Sequence, residues 1–344
     1  MKGGGDPVLR ALALFWGCVI VGVGGLAGAL QYLGPLPKPA AAHVEPAPLV
    51  VAAPVAAVHE APAPVVVVGP LPPGAAIAAV DPALLEAAPA FPDRTLPRIG
   101  PDGRTPGARY AAGWDPADKR PRIAILLADV GMNAQDSGEA IRGLPAAVSF
   151  AIPPYGVRAG GLLEDARARG HELFAVVPME PSLYPQNDPG PQALLTGAAP
   201  AENARRLQWA LSRFEGYAGV TAVLGRMHGE RFANAPELHA VMLEELARRG
   251  LLYLDPRPGG QPPRSAHLPP YRAIDLVVDA PPVRSEVDER LGQLERIARE
   301  TGAAIGLADS PAPMIVDRIA AWATSLPVRG YVLVPVSAII ATPR

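Results

Sequence analysis

The sequence predicts an α/β fold: a (β/α) barrel of seven or eight parallel strands, preceded by one transmembrane helix and a disordered Pro/Ala-rich spacer. Three observations point there. From Arg122 onward, short apolar runs alternate with amphipathic stretches, the pattern of a parallel sheet with crossover helices. Ionisable residues gather just after the apolar runs, where a barrel keeps its chemistry. The 43 prolines concentrate before residue 121, so the 344-residue chain holds one globular domain of ordinary size rather than two.

The N-terminal elements follow from charge and proline. Residues Ala11 to Leu33 carry no charge, and about 20 apolar residues are enough to cross a bilayer core. Lys2 and Arg10 precede this stretch and Lys38 is the first charge after it. The expected orientation is a cytoplasmic 1–10, an inner-membrane span at 11–33 and an exported remainder in the periplasm. A cleaved signal peptide, with Ala27-Gly28-Ala29 at the cleavage site, is the alternative; signal cores usually run about 7–15 residues, shorter than this one. Residues 34–120 are expected to be a linker. Proline removes backbone donors and fixes φ, so long helices and central strands are excluded. Roughly 85 residues of this kind reach ~50 Å as a coil and up to ~250 Å extended. Val65–Val68 is a candidate docking strand, and Pro92 to Asp118 is polar enough either to wrap onto the domain or to stay disordered. The single cysteine, Cys18, excludes an intrachain disulfide. A net charge of −2 gives no footprint for nucleic acid.

Within 121–344 the expected strands are Ile123–Leu127, Val148–Ile152, Leu173–Val177, Val220–Leu224, Leu251–Leu254, Ile274–Val278, Ala303–Leu307 and Tyr331–Val334. Asn234-Ala235-Pro236-Glu237 reads as a capping box with Asn234 as N-cap. Leu238, Met242 and Leu246 follow on one face, and Gly250 stands where a left-handed terminator is wanted. Val287, Leu291, Leu294 and Ala298 form a second apolar stripe ending at Gly302, and Leu207, Leu211 and Phe214 a third. These stripes are core.

Candidate functional residues stand at the strand ends. Asp129, directly after the first run, suits a base or a metal ligand, or else a turn-stabilising role before Asn133. Glu180, held between Pro178 and Pro181, suits substrate positioning or a plain surface carboxylate. His228, in Gly225-Arg226-Met227-His228-Gly229-Glu230-Arg231, is the sole imidazole at a strand's carboxyl end, and so the candidate acid or ligand, with Arg231 beside it as a substrate contact. Asp255 and Arg257 form either a fixed ion pair or a sugar-hydroxyl contact. Asp279 and Asp309 end the sixth and seventh runs; a structural role is the simpler account of both, and Asp309 is kept among the substrate-binding candidates. His171 lies at the amino-terminal mouth of the third strand. No HExxH, phosphate loop or Gly-x-Ser-x-Gly elbow is present.

An ordered set of short segments resembles the divergent polysaccharide deacetylase family. The segments are Ile125-Leu126-Leu127-Ala128-Asp129-Val130-Gly131, Gly170-His171-Glu172, Val177-Pro178-Met179-Glu180-Pro181, Ala201-Glu202-Asn203, Gly219-Val220-Thr221, Arg231-Phe232, Leu254-Asp255-Pro256-Arg257, Ala304-Ile305-Gly306 and Val334-Pro335-Val336-Ser337. The resemblance covers about residues 121–340. It implies a barrel of the glycoside hydrolase/deacetylase type and action on an N-acetylated envelope glycan. It also implies a paired aspartate at the first strand, where this chain has Ala128-Asp129, and a histidine where Val176 stands. Polar groups of the family are likewise replaced within Ala222–Gly225 and Leu307–Ser310. A hydrolytic metal site needs about three protein ligands, and here only Asp129 and His228, with Asp309, are on offer.

The expected function is therefore a membrane-anchored, catalytically degenerate, glycan-binding domain with no cofactor. The alternatives are an active deacetylase carrying a divalent metal such as zinc, and an envelope protein–protein scaffold. Tyr155, Tyr184 and Trp209 are aromatic residues available for stacking on sugars.

Overall fold

The computed structural model describes residues 71–156 and 161–341. The expected span at 11–33 and the Val65–Val68 strand lie outside them, and no described helix is long and apolar enough to cross a membrane.

Chain order begins with a hairpin, β1 (Leu85–Ala88) against β2 (Phe91–Pro97), and a short helix α1 (Pro106–Arg109) capped by Thr105. There follow β3 (Arg122–Leu127), α2 (Ala134–Gly143), β4 (Ser149–Ile152), α3 (Leu162–Ala168) and β5 (Leu173–Val176). Next come α4 (Pro200–Leu211), β6 (Gly219–Thr221), α5 (Glu230–Ala233), α6 (Pro236–Arg248) and β7 (Leu252–Asp255). The chain ends with β8 (Tyr271–Ala273), β9 (Leu276–Val277), α7 (Arg284–Thr301), β10 (Ala303–Ala308), α8 (Pro313–Ser325), β11 (Val332–Leu333) and α9 (Val336–Ile340).

The main sheet is parallel, in the order β8-β7-β6-β5-β4-β3-β10-β9. Two residues separate β8 from β9, so the segment 271–277 leaves β7 and bends to reach β10, and the Ile274–Val278 run is strand only at Leu276–Val277. Asp275 sits at the bend: its amide donates to the Ile305 carbonyl and its carboxylate accepts from the Ile305 amide, each at 2.8 Å. The sheet thus curls back on itself, consistent with a (β/α) barrel. The eighth run forms only β11, which pairs with the first residues of β3 on the edge that β4 occupies further up.

Alternation along the strands separates two cores. Ala124, Leu126, Ala128, Phe174, Val176, Leu254 and Leu307 fill the interior. Ile123, Ile125, Leu127, Leu173, Ala175 and Val220 face the helices, where the stripes of α4, α6 and α7 meet them. Gly250 and Gly302 close α6 and α7 with φ of 68° and 84°, the left-handed termini that a side chain would strain.

Two expectations are corrected, and one choice between alternatives is settled. The described part of the spacer, 71–120, packs on the barrel, and of the two alternatives open to Pro92 to Asp118 it is the wrapping one that is found. Tyr110 is buried, Arg249 reaches Glu86 and the Pro97 carbonyl at 2.8 Å each, and the Ala112 amide donates to Glu172. Asn234 is not the N-cap of α6; Ala235 holds that place, and the Asn234 oxygen accepts from Arg257 at 2.7 Å. The Val220–Leu224 run stops being strand at Thr221, since Leu224 and Met227 close a tight turn on each other.

Glu172 forms the floor of the barrel. It is wholly buried, and its carboxylate accepts from Ser149 Oγ (2.7 Å), the Ala112 amide (3.1 Å), the Ser337 amide (2.9 Å) and Ser337 Oγ (2.5 Å). One carboxylate therefore ties the N-terminal segment, β4 and α9 together. Glu172→Gln places an NH2 among these donors, and we expect it to destabilise the protein by roughly 3 kcal/mol, read as a lower urea midpoint. Deletion of 1–120, which strips the Ala112 donor and the Tyr110 packing, should lower that midpoint.

Candidate functional site

Four strand ends converge at the carboxyl face. Asp129 follows β3 with φ of 55°, the one described residue other than glycine in the left-handed region. That conformation costs about 1–2 kcal/mol and is tolerated best by Asn, Asp and Gly. It goes with a tight turn, Met132 N donating to Asp129 O at 3.1 Å. The Asp129 carboxylate faces the loop after β6, where Oδ1 accepts from the Gly225 amide at 3.2 Å. Asn133 caps α2 by itself, accepting from Gln135 and Asp136, so capping does not account for Asp129.

His228 leaves the Leu224–Met227 turn, and its Nε2 lies 3.0 Å from Asp309 Oδ1 at the end of β10. Asp309 is held in turn by Asp279, whose two oxygens accept its backbone N–H at 2.9 and 3.0 Å. The four groups share one electrostatic field. Burial raises the Asp129 carboxyl, with a further push from the charge of Asp309 and opposition from the Gly225 amide. Burial also pushes Asp279 up to about 6, the Asp309 charge adding to it while the Asp309 N–H opposes. For His228, burial works against the cation. The hydrogen bond to Asp309 and the charges of Asp309, Glu230 and Asp279 outweigh it, so the imidazole is raised. The mouth thus pairs an imidazole, held toward its charged form, with a carboxylate, beside a carboxyl that holds its proton more tightly than usual.

The other candidates are engaged elsewhere. Glu180 is buried; its carboxylate accepts from Thr196 Oγ1 at 2.7 Å and pairs with Arg231 at 3.2 Å, while its carbonyl accepts from the amides of Arg231 and Phe232. It straps the loop after β5 onto α5. Asp255 is fully buried, and both its oxygens are taken by the Arg257 amide and guanidinium and by the Tyr271 hydroxyl. Of the two roles open to Asp255 and Arg257, the geometry is that of the ion pair. Trp209 is covered by Tyr155 at 5.3 Å and by the Arg213 guanidinium at 5.0 Å. His171 is buried near the amino-terminal end, stacked on Phe150 at 4.3 Å.

A resident zinc would have to draw its ligands from this donor set. Such a site takes three protein ligands and an open position. Among the described residues no three of His, Cys, Asp and Glu are disposed to hold an ion. The Nε2 of His228 faces Asp309, and both Asp279 oxygens face a backbone N–H. The residues do not fit the metal. Asp279 is the member that sequence reasoning undervalued. It stands just past an apolar run, within two residues as Asp309 does, and that equivalence was the available signal.

The divergent polysaccharide deacetylase family matches residues 125–340. The crystal structure of an uncharacterized protein from Agrobacterium tumefaciens C58 is similar at 31% identity and a TM-score of 0.64, covering 72% of this chain and 99% of that one. No curated protein matches the chain.

Two titrations test the site. Asp309→Asn removes the partner that raises His228, so the imidazole pKa, followed by NMR, should fall by about one unit or more. Because the folded-state His228 pKa lies above its ordinary 6.5, the stability it supplies is complete below that value and lost as pH rises through the folded one. Asp309→Asn should remove this dependence. Asp279 has the same sign, since its folded carboxyl keeps a proton between 3.8 and about 6 that the unfolded one releases. Stability should fall by about 3 kcal/mol as pH rises through that window. Asp279→Asn should flatten the fall in denaturation midpoints.

Proposed function

We propose, from the premise that this chain belongs to the divergent polysaccharide deacetylase family, that its barrel binds an N-acetylated cell-envelope glycan without hydrolysing it through a resident metal. The family supports a deacetylase-like, carbohydrate-related function. The observation that carries the finer reading is the internal pairing at the mouth. His228 turns to Asp309 and Asp129 to the Gly225 amide, and among the described residues no three donors converge on an ion.

Such a mouth suits sugar recognition. The Asp129 carboxyl accepts, and its raised affinity for a proton favours donation as well, while the His228 imidazole, held toward its charged form, donates, which matches hydroxyl and acetamido groups that do both. Residues 11–33 would anchor the protein in the inner membrane with the barrel in the periplasm, and 34–70 would let it reach the wall. With a net charge of −2, nucleic acid is not a partner.

A second reading rests on the raised Asp129 and His228. The two groups face one mouth, where the Asp129 carboxylate would take the proton of an attacking water and the His228 imidazolium would give one to the leaving amine, the general acid–base scheme of amide hydrolysis. Purified protein assayed for zinc content, for binding of N-acetylglucosamine oligomers by calorimetry and for acetate release separates the two. The binding reading expects micromolar association weakened about tenfold or more by Asp129→Ala, with no acetate released. Acetate released at a rate abolished by both Asp129→Asn and His228→Asn would establish hydrolysis, and zinc near one per chain would overturn the pairing argument.

A further inference from the structure

The loop after β6 carries a charge that the pairing at the mouth does not use. Leu224 and Met227 close its turn with backbone hydrogen bonds of 2.9 and 3.0 Å, and Arg226 stands at the tip. The turn is pinned on both flanks, by the Gly225 amide on Asp129 and by His228 on Asp309. Arg226 itself is exposed, and among the described residues its side chain has no hydrogen-bond or ion-pair partner. Arg284 is the same case on the loop that follows Asp279. It opens α7 and is likewise exposed and unpartnered among the described residues. A cation at a helix N-terminus opposes the helix dipole, so stability does not account for its place there. The arginines that brace the loops are paired instead, Arg231 with Glu180 and Arg257 with Asp255.

We infer that Arg226 and Arg284 select an acidic glycan, in which the N-acetylated unit at the mouth is flanked by a unit bearing a carboxylate or a phosphate. The inference rests on the glycan reading and adds the charge class of the ligand. A guanidinium meets such an anion with two parallel N–H donors, a match that a neutral hydroxyl lacks. The other charges of the face set where the anion lies. Asp129, Asp279 and Asp309 stand around a single imidazole, so a further anion is repelled from the centre and held at the rim. Glu230 accepts from the Ser182 amide at 3.3 Å, and Glu286, two positions along α7, does not share a helix face with Arg284. The whole chain carries a net charge of −2, so attraction for an anionic ligand is local to these arginines.

The test titrates full-length protein in detergent, by calorimetry, with three N-acetylated ligands. One is the neutral N-acetylglucosamine hexamer, one a hexamer alternating N-acetylglucosamine with glucuronic acid, and one an N-acetylglucosamine oligomer carrying a 1-phosphate. An acidic ligand is expected to bind about tenfold more tightly than the neutral one at low salt, with the preference shrinking as salt screens it. The tighter of the two acidic ligands identifies the anion. Arg226→Gln and Arg284→Gln should each remove about threefold of the preference, and together abolish it. Arg248→Gln removes an exposed charge at the C-terminal end of α6, away from the mouth, and should leave the preference intact. Equal affinity for neutral and acidic ligands, a preference that survives the double variant, or an equal loss in Arg248→Gln would each overturn the inference while the glycan reading stands. Failure of all three ligands to bind would overturn both.

Discussion

A carboxylate removed from water needs donors to replace those it loses, and Glu172 draws its donors from three separate parts of the chain. Ser149 stands at the start of β4, Ala112 in the segment before the barrel, and Ser337 at the start of α9. None of these is near Glu172 in sequence. Satisfying the one group fixes where the N-terminal segment crosses the floor and where the C-terminal helix plugs it. The polar floor and the polar mouth are then held at opposite ends of an interior lined by Ala124, Leu126, Val176 and Leu254.

At the mouth the same physics runs with fewer donors. Asp129, Asp279 and Asp309 bring three carboxyl groups to one half-dry region, with the imidazole of His228 as the cation of the set. The pairing distributes the cost: Asp279 is served by a backbone N–H, Asp309 by the histidine, and Asp129 by a glycine amide. What results is a surface of internally paired hydrogen-bonding groups, whereas a cation site needs bare converging lone pairs. The positive φ of Asp129 fits this account, since strain is kept where a side chain must face inward.

The family likeness extends over most of the barrel, yet a shared fold does not carry a shared reaction. Glu180 and Asp255 illustrate the difference. Both stand at strand ends, where chemistry is expected, and both are consumed by bracing: one holds the loop after β5 to α5, the other locks Arg257 and Tyr271.

Strand and helix placement was legible in the residues alone, because polarity repeats at two or near four positions according to the local element, and Ile125, Leu246 and Leu294 each record it. Asp129, His228 and Asp309 were legible as strand-end groups for the same reason. Partnership was not. The Asn234-Ala235-Pro236-Glu237 stretch has the chemistry of a cap, but an arginine 23 positions away takes the Asn234 oxygen. Proline content suggested a spacer through 85–97, but Arg249 and Gln208 supply that hairpin with distant partners. His228 and Asp309 are 81 residues apart, and Asp129 and Gly225 are 96. Such contacts depend on which strand ends the closing sheet brings face to face. Local periodicity carries no record of that; the tertiary fold alone decided it.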